Sequence, residues 1–150
     1  VANRDSFKQV ARARIRTLNI LMKEEDWEGA AYIMGHVLEC ALKALICRTL
    51  RLESYPTEKD QPKIAALFLN HEFQALLKIS GMENVFSDRG PKAIWQNWSD
   101  FTIEFPGNWT LMRYEPNKAP RNWDDLKVKG LYTNLMGKPN GIVTQIKRRW

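Results

Sequence analysis

Residues Trp27 to Leu50 read WEGAAYIMGHVLECALKALICRTL, and this stretch decides the fold. On a helix that turns about 100° per residue, Ile33, Met34, Val37, Leu38, Ala41, Leu42 and Leu45 sweep more than half of the circumference. A helix apolar over so wide an arc belongs at the centre of a domain, with other helices around it. The narrow strip left over carries Tyr32, His36, Glu39, Cys40, Lys43 and Cys47. Glu39 and Lys43 stand at i and i+4 with the acid first, the favourable order on a helix. Asp26, just ahead of the stretch, is suited to cap it.

Working outward, Asn3 to Lys23 reads as a second amphipathic helix. Phe7, Ala11, Ile15, Leu18 and Met22 form its apolar stripe. Arg4, Lys8, Arg12 and Arg16 recur every fourth residue and form a basic stripe, about 18 Å long at a rise of about 1.5 Å per residue. Downstream, Ser54 to Pro62 is a polar break with Pro56 and Pro62. The stretch Ile64 to Ile79 is apolar and helical in its second half. There Phe73, Leu76, Leu77 and Ser80 face inward, and Gly81 ends the helix. Pro91 suits the first turn of a helix through Ile94, Trp95 and Trp98. Phe105 to Pro120, with Pro106, Gly107, Pro116 and Pro120, reads as an irregular loop that carries Trp109 and Arg113-Tyr114. Asn122 is placed to cap a last helix with Trp123, Leu126, Leu131 and Leu135. Gly137 to Gly141 interrupts it, and Ile142 to Trp150 forms a final basic turn or two. No strand pattern and no repeat is present, so the expectation is one all-α domain over residues 1–150.

A chain of 150 residues is long enough for a hydrophobic core of its own. Its net charge of +6 favours anionic partners such as nucleic acid, nucleotide or an acidic protein surface. His36, Glu39, Lys43 and Arg48 break the most apolar run, which argues against a simple membrane span. The arginines near the start are followed by no apolar segment of the secretory type. Cys40 and Cys47 lie two helical turns apart, about 10 Å, too far for a disulfide between them. With only two histidines they make a poor zinc set. Two thiols in a reducing cytoplasm, with no metal and no cofactor, is the expectation.

The run AAYIMGHVLECALKALI, Ala30 to Ile46, resembles the second helix of bacterial HEPN domains, the higher-eukaryote and prokaryote nucleotide-binding helical family. That helix shows a small or aromatic pair, a glycine, a glutamate and then Leu-Lys-Ala-Leu. HEFQALLKISGM, His71 to Met82, is similar to the family's helix ending in glycine, and MRYEP, Met112 to Pro116, to its Arg-Tyr segment. The resemblance spans most of the chain. It implies a four- to five-helix up-and-down bundle, commonly a homodimer, with a role around RNA or nucleotides. Relatives of this kind include ribonuclease toxins, partners of small nucleotidyltransferases and components of phage-defence systems.

The resemblance also implies where ribonuclease chemistry would sit. Active members use an arginine, four to six residues, then a histidine, with no metal; the arginine steadies the phosphate and the histidine moves protons. The positions at that spacing ahead of His36 are Gly29, Ala30 and Ala31, and ahead of His71 they are Ile64, Ala65 and Ala66, so neither histidine completes the motif. The nearest counterpart is Arg121-Asn122 followed by Lys127. A lysine with an ordinary pKa of about 10.4 holds a phosphate but is a poor base.

Each remaining candidate has a structural and a functional reading. His36 is either a hydrogen-bonded core histidine or a ligand, and His71 either caps or positions the helix after it. Glu39 with Lys43 is either an internal ion pair or part of a polar pocket. Arg113-Tyr114 either grips a phosphate and stacks on a base or packs the loop onto the core. The stripe Arg4, Lys8, Arg12 and Arg16 is either a solvated face or a phosphate contact. Three functions follow as expectations. The first is a protein that binds RNA or nucleotide, or pairs with a nucleotidyltransferase, through Arg113, Tyr114, Arg121, Asn122, Lys127 and the basic stripe. The second is an endoribonuclease toxin with a degenerate site of Arg113, Arg121 and Lys127. The third is a dimerisation subunit of a larger assembly.

Overall fold

The computed structural model describes residues 2–57, 59, 62–113 and 123–150. Among them lie seven α-helices and no strand: α1 Arg4–Lys23, α2 Trp27–Thr49, α3 Pro62–Phe68, α4 Phe73–Ser80, α5 Lys92–Thr102, α6 Asp125–Met136 and α7 Ile142–Lys147. A short 3-10 helix, Trp109–Arg113, falls between α5 and α6. The chain is all-α, as the periodicity predicts.

α1 opens on a reciprocal cap. Asn3 Oδ1 accepts from the Ser6 amide at 2.9 Å and Ser6 Oγ accepts from the Asn3 amide at 2.7 Å. Glu25 turns the chain at φ 59°, the left-handed region a side chain normally avoids. Asp26 then caps α2 by accepting from the Gly29 amide at 3.0 Å. So short a turn lays α1 back along α2, and the two pack over much of their length. The predicted stripe faces α2: Ala11 and Leu18 are buried, and Phe7, Ile15 and Met22 pack against the core.

α2 packs against α1, α4, α6, α7 and the 3-10 helix, and so takes the central place its wide apolar arc implies. By length and mean hydropathy it is also able to cross a bilayer, but 72% of that window is buried inside the bundle. Its apolar surface is spent on its neighbours.

The stretch Ile64 to Ile79 divides in two. Asn70 Oδ1 accepts from the Glu72 amide at 2.8 Å, a side-chain turn that competes with the helix and separates α3 from α4. Phe73, Leu76, Leu77 and Ser80 are buried as predicted, and Gly81 closes α4 at φ 80°. Pro91 is the residue before α5 rather than within its first turn. The predicted irregular loop contains an ordered element, since Trp109 begins the 3-10 helix and is 1% exposed. The cap of α6 is Asp124, whose Oδ1 accepts from the Lys127 amide at 2.8 Å. The helix therefore starts later than a cap at Asn122 would require, and Leu126 in its first turn is 82% exposed. Val128, Leu131 and Leu135 pack inward.

Candidate functional site

Glu39 gathers the polar strip of α2. Its side chain is 7% exposed, yet it has three partners that can carry positive charge. Lys43 Nζ donates to Oε1 at 3.3 Å. His36 Nδ1 lies 3.8 Å from Oε2. His71 Nδ1 hydrogen-bonds Oε1, reaching it from the turn between α3 and α4. The two histidines of the chain thus meet on one carboxylate. A buried carboxylate is costly unless paired and hydrogen-bonded, and this one is both. His71 is 53% exposed at the side chain, so the cluster opens to solvent on that side.

Trp109 roofs the cluster. Its Nε1 donates to the His71 carbonyl at 2.7 Å, and its ring stacks on Phe73 at 5.4 Å. The ring also lies edge-on to His36 at 5.4 Å and to His71 at 6.5 Å. Gly35 makes this approach possible: a Cβ there would sit 2.5 Å from the Trp109 ring. Tyr32 meets His36 edge-on at 4.7 Å. On the other side Lys43 lies 5.5 Å from the ring centre of Tyr55, whose hydroxyl donates to the Phe68 carbonyl at 2.6 Å. Burial pushes the Tyr55 hydroxyl up from its ordinary pKa, with Cys47 and Glu39 adding to the effect. Burial and then the Glu39 charge push the Cys40 thiol up to about 11. Burial also raises Cys47. Both cysteines are free.

The basic stripe of α1 forms a second locus. Arg4 Nη2 donates to the Trp150 backbone oxygen at 2.5 Å. Lys8 Nζ and Arg12 Cζ stand 5.8 and 5.4 Å from the Trp150 ring centre. Lys147 joins them: its pKa is lowered by burial and then by the charges of Arg12 and Lys138. The tryptophan is buried, so it serves as a post around which the cations are arranged rather than as an open stacking face. Arg12 and Arg16 are exposed. Among the described residues, no ion pair with an Asp or Glu side chain uses Arg4, Lys8, Arg12, Arg16, Lys138 or Lys147.

Lys127 lies elsewhere. Its Nζ is 3.6 Å from Glu104 Oε2 and 5.8 Å from the Trp123 ring centre. The carboxylate already answers its charge, which weakens it as a phosphate holder. Arg113 ends the 3-10 helix that carries Trp109. Tyr114, Arg121 and Asn122 lie outside the described residues. Sequence reasoning found the Glu39–Lys43 pair but missed that His71 and Trp109 complete it. The one available signal was Gly35, since a glycine inside a helix costs about 1 kcal/mol relative to alanine and so marks a close approach. No group of three or more metal-ligating side chains is placed to hold a metal among the described residues.

In comparisons with known proteins, the chain matches no family model, no curated protein and no solved structure.

Proposed function

We propose that this chain is a HEPN-type helical protein that binds RNA or a nucleotide through the basic face of α1. The observation that carries this reading is the gathering of Arg4, Lys8 and Arg12 around Trp150, with Lys147 near Arg12, and with no Asp or Glu side chain among the described residues in an ion pair with any of them. Like charges held together cost stability, and an anion that binds there recovers it. The pattern from Ala30 to Ile46 supports the family, and two free thiols suit a reducing cytoplasm. A homodimer, and a small nucleotidyltransferase as partner in a toxin–antitoxin or phage-defence setting, belong to the same reading. The test is fluorescence anisotropy with single-stranded RNA at several salt concentrations. Arg12→Ala with Arg16→Ala is expected to weaken binding and to reduce the salt slope by about 0.7 for each phosphate that is no longer neutralised. RNA affinity that is absent, or unchanged in that variant, overturns the reading.

A second reading, a metal-independent endoribonuclease, is favoured by the meeting of both histidines on Glu39. It moves the chemistry from Arg113, Arg121 and Lys127 to His71. Glu39 holds the Nδ1–H of His71 and leaves Nε2 as a base toward solvent, the division of labour of a carboxylate–histidine pair. Nε2 takes the ribose 2′-hydroxyl proton as that oxygen attacks phosphorus. The bond from phosphorus to the 5′-oxygen breaks, and His36 returns a proton to that oxygen. Cleavage of a labelled RNA in a chelator, abolished by His71→Ala, is the expected result. Intact RNA after long incubation removes this reading and leaves the first untouched.

A further inference from the structure

The last turn of α2, the end of α4 and the residues after α7 line an open surface cleft of about 300 Å³. Leu45, Met82 and Val85 are its apolar lining, and Arg48 and Arg149 its two cationic lining residues. The walls are tied to one another. Thr49 Oγ1 donates to the Ser80 carbonyl at 2.8 Å, and Arg48 Nη1 donates to the Arg149 carbonyl. Arg149 Nη1 in turn donates to the Gln145 carbonyl at 3.2 Å. The cleft is therefore shaped before any ligand arrives.

Both arginines answer carbonyls at the end of α7, Arg149 that of Gln145 and Arg48 that of Arg149, a place that favours a cation. No acidic residue lines the cleft, and neither arginine forms an ion pair among the described residues. Each guanidinium spends Nη1 on a carbonyl and keeps the Nε and Nη2 donors, the edge that matches a carboxylate or phosphate. Two such edges beside apolar lining, in an open cleft at the small end of ligand sites, fit one kind of occupant.

We infer that this cleft binds a small organic anion: an aromatic or aliphatic body with one phosphate or carboxylate. The body rests on Leu45, Met82 and Val85, and the anionic group is gripped by Arg48 and Arg149. The site shares no residue with the basic stripe of α1 and stands independently of RNA binding.

The test titrates the full chain with naphthyl phosphate, naphthoate and inorganic phosphate, read by amide NMR. Naphthyl phosphate or naphthoate is expected to shift the amides of Thr49, Gly81 and Val85 saturably, and the tighter of the two shows which anionic group is preferred. Arg48→Ala and Arg149→Ala are each expected to weaken that binding roughly tenfold or more, the loss typical of a charge-assisted hydrogen bond. Arg149→Lys is expected to lie between, because it keeps the charge and loses the fork. Amides far from the cleft report whether each variant stays folded. Three results overturn the inference: no saturable shift at those amides, unchanged affinity in both alanine variants, or inorganic phosphate binding as tightly as naphthyl phosphate.

Discussion

His71, in the turn between α3 and α4, hydrogen-bonds the carboxylate of Glu39, thirty-two residues earlier on α2. The bond joins the central helix to a turn that its own periodicity does not anticipate. Three groups able to carry positive charge depend on this one carboxylate, so its removal leaves more than one partner stranded.

Glu39→Gln is therefore expected to lower stability by about 3 kcal/mol, the scale for breaking a buried pair. The measurement is urea denaturation. Adding Lys43→Met should return part of the loss, since the two sites share one interaction. A midpoint unchanged in Glu39→Gln would show that the network adds nothing to stability.

Gly35→Ala sets two effects against each other. Alanine gains about 1 kcal/mol of helix propensity over glycine. Against this, its Cβ meets the Trp109 ring at 2.5 Å. That ring cannot slide away freely, because Phe73 stacks on it and its Nε1 is bonded to the His71 carbonyl. Overpacking of this kind costs about 1–3 kcal/mol, so net destabilisation is expected, with tryptophan emission shifted to the red. Trp109→Phe in the same background should relieve it.

The Cys40 thiol, held up to about 11, stays protonated in the folded chain where the unfolded thiol, near 9.0, has begun to ionise. Its contribution to stability is fully present below about pH 9 and is lost as pH rises from about 9 to about 11. Denaturant midpoints across that window should fall less steeply in Cys40→Ala than in the unmodified chain. At pH 8 an aromatic disulfide reagent should label Cys40 slowly, with rapid labelling once the protein is unfolded. Fast labelling of the native protein would contradict the burial of this group.

Trp150→Ala changes no charge, yet it removes the ring on which Lys8 and Arg12 rest. If that ring pre-arranges the cations, RNA affinity should fall although the net charge stays at +6. Stability should fall by about 3 kcal/mol as a buried tryptophan is removed. Unchanged RNA affinity in a folded variant would reduce the ring to packing alone.

The central helix was legible because burial on many sides writes itself into local order. Asp26, Gly81 and the apolar stripe from Phe7 to Met22 were equally plain, since each acts within a few residues of itself. What stayed hidden acts across the chain. His71 and Trp109 reach Glu39 and His36 from separate segments, and neither lies on a stripe that points there. The helix start was less plain: Asn122 and Trp123 read as its opening, whereas the cap is Asp124 and the helix begins at Asp125. Arg4 and Lys8 read as a free stripe, while the structure ties both to Trp150.

Because α2 packs against α1, α4, α6, α7 and the 3-10 helix, none of these can leave it without uncovering part of the same core. Its amide hydrogens should accordingly exchange with solvent only through whole-domain opening. Those of α3, whose Ile64 and Leu67 are exposed, should exchange through local fraying. The slowest amides, read from Ala30 to Ile46, then measure the stability of the entire chain.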